Sequence, residues 1–212
     1  MIMIRVVYYT NQVFWQTGSE EKAGVGPSIV QGAVGPGMFI NRLLGEQGKV
    51  IATAICGDNY FSERPQAVAS QVLDLIEKWK PDIFIAGPAF NAGRYGLACG
   101  QVCTAVSERL GIPAVTGMFP ENPAVSLYRS RIFIIETSNS GVGMTKAMAR
   151  IINLACKLHR GERPRAPAVE GYITRGFKEN IITDKLAAER AISLLLKKLH
   201  GEAFETEITF PG

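Results

Sequence analysis

Five short apolar runs, residues 4–9, 49–56, 82–86, 112–118 and 131–137, recur along the chain with helical patterns between them. Each is rich in β-branched or aromatic residues and reads as a strand. Strands apolar on both faces need cover on both faces, so their alternation with helices predicts a parallel sheet inside an α/β fold. Right-handed crossovers narrow the topologies further. The expectation is a doubly wound, mostly parallel five-stranded sheet of flavodoxin- or Rossmann-like type, in order 2-1-3-4-5. Its switch point lies between the first and third strands, and such folds hold ligands at the carboxyl ends there. Apolar spacing predicts helices over 38–44, 65–80, 97–110, 144–159 and 183–200, the third stopped by Gly111. Gly171-Tyr172-Ile173 is expected as a short strand, and the alternating residues 204–210 as an edge strand. Residues 1–160 are expected to form an α/β substrate-pocket domain, and 161–212 an extension packing on it.

Residues 81–103, PDIFIAGPAFNAGRYGLACGQVC, concentrate the chemistry. A strand leads into a glycine-studded loop that carries an amide (Asn91), a guanidinium (Arg94) and a phenol (Tyr95). A helix is then expected to open near Leu97. Unpaired amides at a helix start hold anions, and glycines such as Gly93 let the backbone approach a ligand. Residues 11–37 form a long non-periodic segment in which Gly35-Pro36-Gly37 precedes a second helix start. Segments of that length in compact domains are usually functional or disordered, and Phe14 and Trp15 argue against full disorder. Asp58 and Asn59 follow the second strand in an expected turn. Glu121, Asn122, Ser138 and Ser140 lie at later strand ends, where they could complete a polar pocket or simply form turns.

The net charge of +4 is modest, and the basic cluster Lys157, Arg160, Arg163 and Arg165 lacks the aromatic interleaving of a nucleic-acid surface. No run reaches transmembrane length, and nothing reads as a signal peptide. A reducing cytoplasm is expected, with free thiols at Cys56, Cys99, Cys103 and Cys156. Cys56, at a strand end, could be a nucleophile if its thiol were acidified, but burial as a core filler is the commoner role. Cys99 and Cys103 share a helix face without the further ligands a zinc site needs, and without C-x-x-C spacing. Dinucleotide-binding, Walker A and G-x-S-x-G motifs are absent, and two histidines outside strand-end loops argue against a Ser-His-Asp hydrolase.

Several strings carry more than a fold signal. They are Gly35-Pro36-Gly37, ICGDNYF (55–61), AGPAFNAGRYG (86–96), Ala98-Cys99-Gly100, PAVTGM (113–118), Glu121-Asn122-Pro123 and Phe204-Glu205-Thr206-Glu207. In this order they resemble the glycine/sarcosine/betaine reductase component B (selenoprotein B) family across nearly the whole chain. The resemblance implies part of an anaerobic oxidoreductase that recognises a small amino acid or its N-methylated relative. It further implies oligomeric assembly with a selenocysteine-bearing half or subunit, a pyruvoyl-bearing subunit and selenoprotein A. Family members are about twice this length, with the selenocysteine in the second half. The chain is therefore expected to be an N-terminal domain or a separate subunit, without cofactor or catalytic residue of its own. The contact residues expected from this reading are Asn91, Arg94, Tyr95, Asn59, Asp58, Glu121, Asn122, Gly35, Gly37 and Gly93. A non-catalytic assembly module is the alternative, and a flavodoxin-like nucleotide binder a weaker one.

Overall fold

The computed structural model describes residues 3–15, 22–176 and 184–205. The chain divides into two units, Met1–Gly176 and Phe177–Gly212. In the first, β1 (Ile4–Asn11), β3 (Gly48–Cys56), β4 (Ile83–Phe90), β5 (Ala114–Met118) and β6 (Phe133–Glu136) are joined by parallel pairing. The sheet has six strands rather than five, in the order β2-β3-β1-β4-β5-β6. The added strand, β2 (Ser28–Gln31), pairs antiparallel with the outer edge of β3. It lies inside the glycine-rich segment read from sequence as non-periodic. The five parallel strands follow the expected order.

Side-chain alternation along β1 divides the core. Val7 and Tyr9 face one layer and Val6 and Tyr8 the other. The first layer is closed by α3 (Asp58–Glu63), α4 (Pro65–Glu77), α5 (Gly93–Leu110) and α6 (Pro123–Tyr128). The second is closed by α2 (Gly37–Leu44) and α7 (Met144–His159), through Ile40, Leu44, Met148 and Ile151. Burying an aliphatic side chain of this kind contributes about 1.5–3 kcal/mol. Between β1 and α2 lies a short α1 (Gln12–Trp15).

Residues 161–176 belong to the first unit. After the single turn α8 (Pro167–Glu170), Ile173 N donates to Ile134 O at 2.8 Å and Glu136 N to Gly171 O at 2.8 Å. The short strand expected at 171–173 is an isolated antiparallel bridge between Tyr172 and Ile135, on the far edge of β6. Both edges of the five-stranded parallel core are thus covered by antiparallel pieces, a standard protection of unpaired strand edges. In the second unit, α9 (Ala187–Leu199) accounts for most of the helix expected over 183–200. Residues 206–210 of the expected edge strand, and 16–21 of the long glycine-rich segment, lie outside the described residues. No helix among the described residues is long and apolar enough to cross a membrane.

Candidate functional site

Two sequence-based boundaries shift at the site, and both shifts matter. The segment Gly57–Phe61, expected as a turn, opens α3 at Asp58. The loop expected over 87–96 is divided between the end of β4, which runs to Phe90, and the start of α5, which opens at Gly93. Arg94 and Tyr95 therefore sit in the first turn of an 18-residue helix.

Within that turn Gly96 N is the first amide to bond helically, to Ala92 O at 2.8 Å. The amides of Gly93, Arg94 and Tyr95 have no acceptor among the described residues, and no side chain caps the helix. Three such N–H groups at the positive end of a helix dipole form a small-anion receptor. The Arg94 side chain is exposed, and its Nη1 donates to Asn59 Oδ1. Asn91 is exposed beside it.

Opposite this turn stands the end of β1. Asn11, 4% exposed, donates through Nδ2 to Asp58 Oδ2 at 2.9 Å, and Asp58 N donates to Gln12 Oε1 at 3.0 Å. Burial pushes the Asp58 carboxyl up. The hydrogen bonds from Asn11 and Gln12, and the Arg94 charge, act in the opposite direction. The second oxygens of this pair, Asn11 Oδ1 and Asp58 Oδ1, are buried without a hydrogen-bond partner among the described residues.

The remaining expected contacts divide by burial. Tyr95, 2% exposed, is turned inward, with its ring 6.3 Å from that of Tyr9 and 6.2 Å from that of Phe14. Its hydroxyl reaches Thr10 Oγ1 at 3.4 Å and Tyr9 O at 3.5 Å, both long contacts. Asn122 is also engaged. Its Nδ2 donates to Phe90 O at 2.9 Å and Ala92 O at 3.3 Å, while Oδ1 accepts from Ala124 N at 3.0 Å as the N-cap of α6. Asn122 thus fixes the backbone on which Asn91 and Gly93 ride. Glu121 is exposed in the turn before α6.

The helix start after Gly37 differs from that of α5. Gly37, Met38 and Phe39 donate to Val34, Gly35 and Pro36 at 3.0–3.1 Å, so these amides are engaged within the turn. Gly37 packs against the Tyr8 ring in the core. Gly35, at φ +55°, has no room for a Cβ beside Phe14 O. The glycine-rich segment nevertheless reaches the site elsewhere. Asn59 N and Tyr60 N donate to Ala23 O at 3.0 and 3.1 Å, and Gly57 N donates to Val25 O at 2.8 Å.

All four cysteines are free and buried. Burial, then the Asp58 charge, pushes the Cys56 thiol up to about 12. Burial likewise pushes Cys99 and Cys103 up. None of them is an exposed thiolate. Among the described residues no cluster of His, Cys, Asp and Glu could hold a metal ion. Sequence reading missed Asn11 and Gln12. Their signal was position, since they end the first strand at the switch point.

Together the fold and site define an α/β protein whose polar side chains gather at the carboxyl ends of a parallel sheet, beside the unpaired amides of a long helix. Within that class the chain belongs to the glycine/sarcosine/betaine reductase selenoprotein B family, whose model matches residues 3–212. It is 47% identical over 211 residues to the sarcosine reductase complex component B subunit beta of Peptoclostridium acidaminophilum, covering 100% of this chain and 48% of that protein. It is 46% identical over 212 residues to the glycine reductase complex component B subunit gamma of Carboxydothermus hydrogenoformans, covering 100% of this chain and 49% of that protein. Identity to the betaine reductase complex component B subunit beta of P. acidaminophilum is 38% over 211 residues, covering 99% of this chain and 48% of that protein. The chain spans about half the length of the curated relatives it matches. No solved structure matches.

Proposed function

We propose that this chain supplies one wall of the substrate pocket in a component B-type reductase, and that it grips the carboxylate of a small amino acid or N-methylated amino acid. The observation that carries this reading is the row of unpaired amides at Gly93–Tyr95 with Arg94 in the same turn. Charge-assisted hydrogen bonds from a guanidinium and backbone amides suit a carboxylate. Asn59, which holds the Arg94 guanidinium, and exposed Asn91 flank the bound group. Membership of a multi-subunit complex is supported by the names of the relatives. The strand order supports reading the parallel core as a doubly wound, flavodoxin-like sheet with its crevice between β1 and β4. The selenocysteine and pyruvoyl groups belong, in this reading, to polypeptide outside these 212 residues, and the reductive step is made there.

The test is calorimetric titration of glycine, sarcosine and betaine into the wild-type chain and Arg94→Ala. Loss of a charged hydrogen-bond donor is expected to weaken whichever ligand binds by about tenfold or more. Equal affinity in the variant refutes the anchoring role.

A further inference from the structure

Building on that reading, we infer that Asp58 and Asn11 form the amine-side half of the same pocket, selecting a ligand whose nitrogen still carries N–H donors. Asn11 Nδ2 must face the carboxylate, because a carboxylate only accepts, so Asn11 Oδ1 is left pointing elsewhere. Asn11 Oδ1 and Asp58 Oδ1 are therefore two buried acceptors, from adjoining side chains, with no donor among the described residues. A buried acceptor without a donor is costly, and a buried carboxylate more so. An ammonium group answers both needs at once, since it brings positive charge and several N–H bonds.

The placement fits a zwitterion. Asn59, next to Asp58, holds the Arg94 guanidinium, and Tyr95 touches Tyr9 and Thr10, which immediately precede Asn11. Donors for a carboxylate and acceptors for an ammonium thus lie on adjoining elements, the first turn of α5 on one side and the ends of β1 and β3 on the other. Arg94 is close enough for its charge to act on Asp58. Glycine offers three N–H bonds, sarcosine two and betaine none. Betaine's quaternary nitrogen brings charge but leaves both acceptors unsatisfied. The site therefore discriminates by N-methylation, favouring primary and secondary ammonium.

The experiment titrates glycine, sarcosine, betaine and acetate into the full chain and into Asp58→Asn, with Arg94→Ala in parallel. The wild type is expected to bind glycine and sarcosine at least about tenfold more tightly than betaine. Asp58→Asn is expected to weaken glycine about tenfold or more and betaine about threefold or less, while acetate binds equally well or better once the neighbouring negative charge is gone. Glycine and acetate binding that depends on Arg94 but not on Asp58 overturns this inference and leaves the anchor standing. Failure of all four ligands to bind, or binding indifferent to Arg94, overturns the anchor itself. The wild-type ranking does not depend on any variant folding, and betaine binding as tightly as glycine refutes the selection outright.

Discussion

Gly96→Ala sets helix propensity against packing at the site's foundation. In a helix interior, glycine to alanine is worth about 1 kcal/mol in favour of alanine. Here an added Cβ would lie 2.4 Å from Asn122 Oδ1, 2.6 Å from its Nδ2 and 2.8 Å from its Cγ. Asn122 is 2% exposed and cannot swing aside without releasing Phe90 O, Ala92 O or Ala124 N. Overpacking costs about 1–3 kcal/mol, and each lost hydrogen bond about 1 kcal/mol more. Set against the helix gain, the expected net loss is about 2–3 kcal/mol, or a drop in Tm of roughly 4–12 °C. Urea titration and calorimetry measure it. The double variant Gly96→Ala/Asn122→Ala should be less destabilised than the sum of the singles, because removing the amide removes the clash. A Gly96→Ala protein as stable as the wild type, or strict additivity, refutes the reasoning.

The Lys157–Glu170 pair, at 2.6 Å with the carboxylate side chain 8% exposed, predicts a pH-dependent contribution to stability. The Lys157 hydrogen bond holds the Glu170 carboxyl below its usual value. Its stabilisation is thus complete above the unfolded carboxyl range, about 4.3, and is lost as pH falls through the lower folded value. Glu170→Gln is expected to cost about 1 kcal/mol at neutral pH, with the Tm difference shrinking towards pH 3; a constant difference refutes the ionic origin. The buried thiols, with Cys56 pushed up to about 12, predict negligible reaction with a disulfide reagent at pH 8 in the native chain and reaction of all four cysteines after denaturation. Fast native labelling of Cys56 would contradict its burial.

The parallel core was legible because period and burial agree there. Runs such as FII and IFIA are apolar on both faces, which suits a parallel strand covered on both sides. β2 was hidden because SIVQ spans only four residues among glycines, and an edge strand is fixed by its partner rather than by its own propensity. The start of α5 was set four residues late because Gly93 and Gly96 depress helix propensity. The tertiary reason for Gly96, the Asn122 side chain against its backbone, is invisible in a single sequence. That error placed Arg94 and Tyr95 in a loop. Once they share a helical turn, Arg94 points to solvent while Tyr95 packs against Tyr9 and Phe14. Asn122 was legible as a polar residue at a strand end, but its commitment to three backbone groups was not.

β1 stays zipped to β3 as far as Asn11 opposite Cys56, but parts from β4 after Tyr9 opposite Ala86. The parting of the ladder beside Thr10 and Asn11 is therefore a property of main-chain register, like a seam left unstitched at its last two rungs. It should tolerate any side-chain exchange that leaves the ladder in step. A one-residue slip of β4 against β1, by contrast, would reset its depth by a rung and turn the lining inside out.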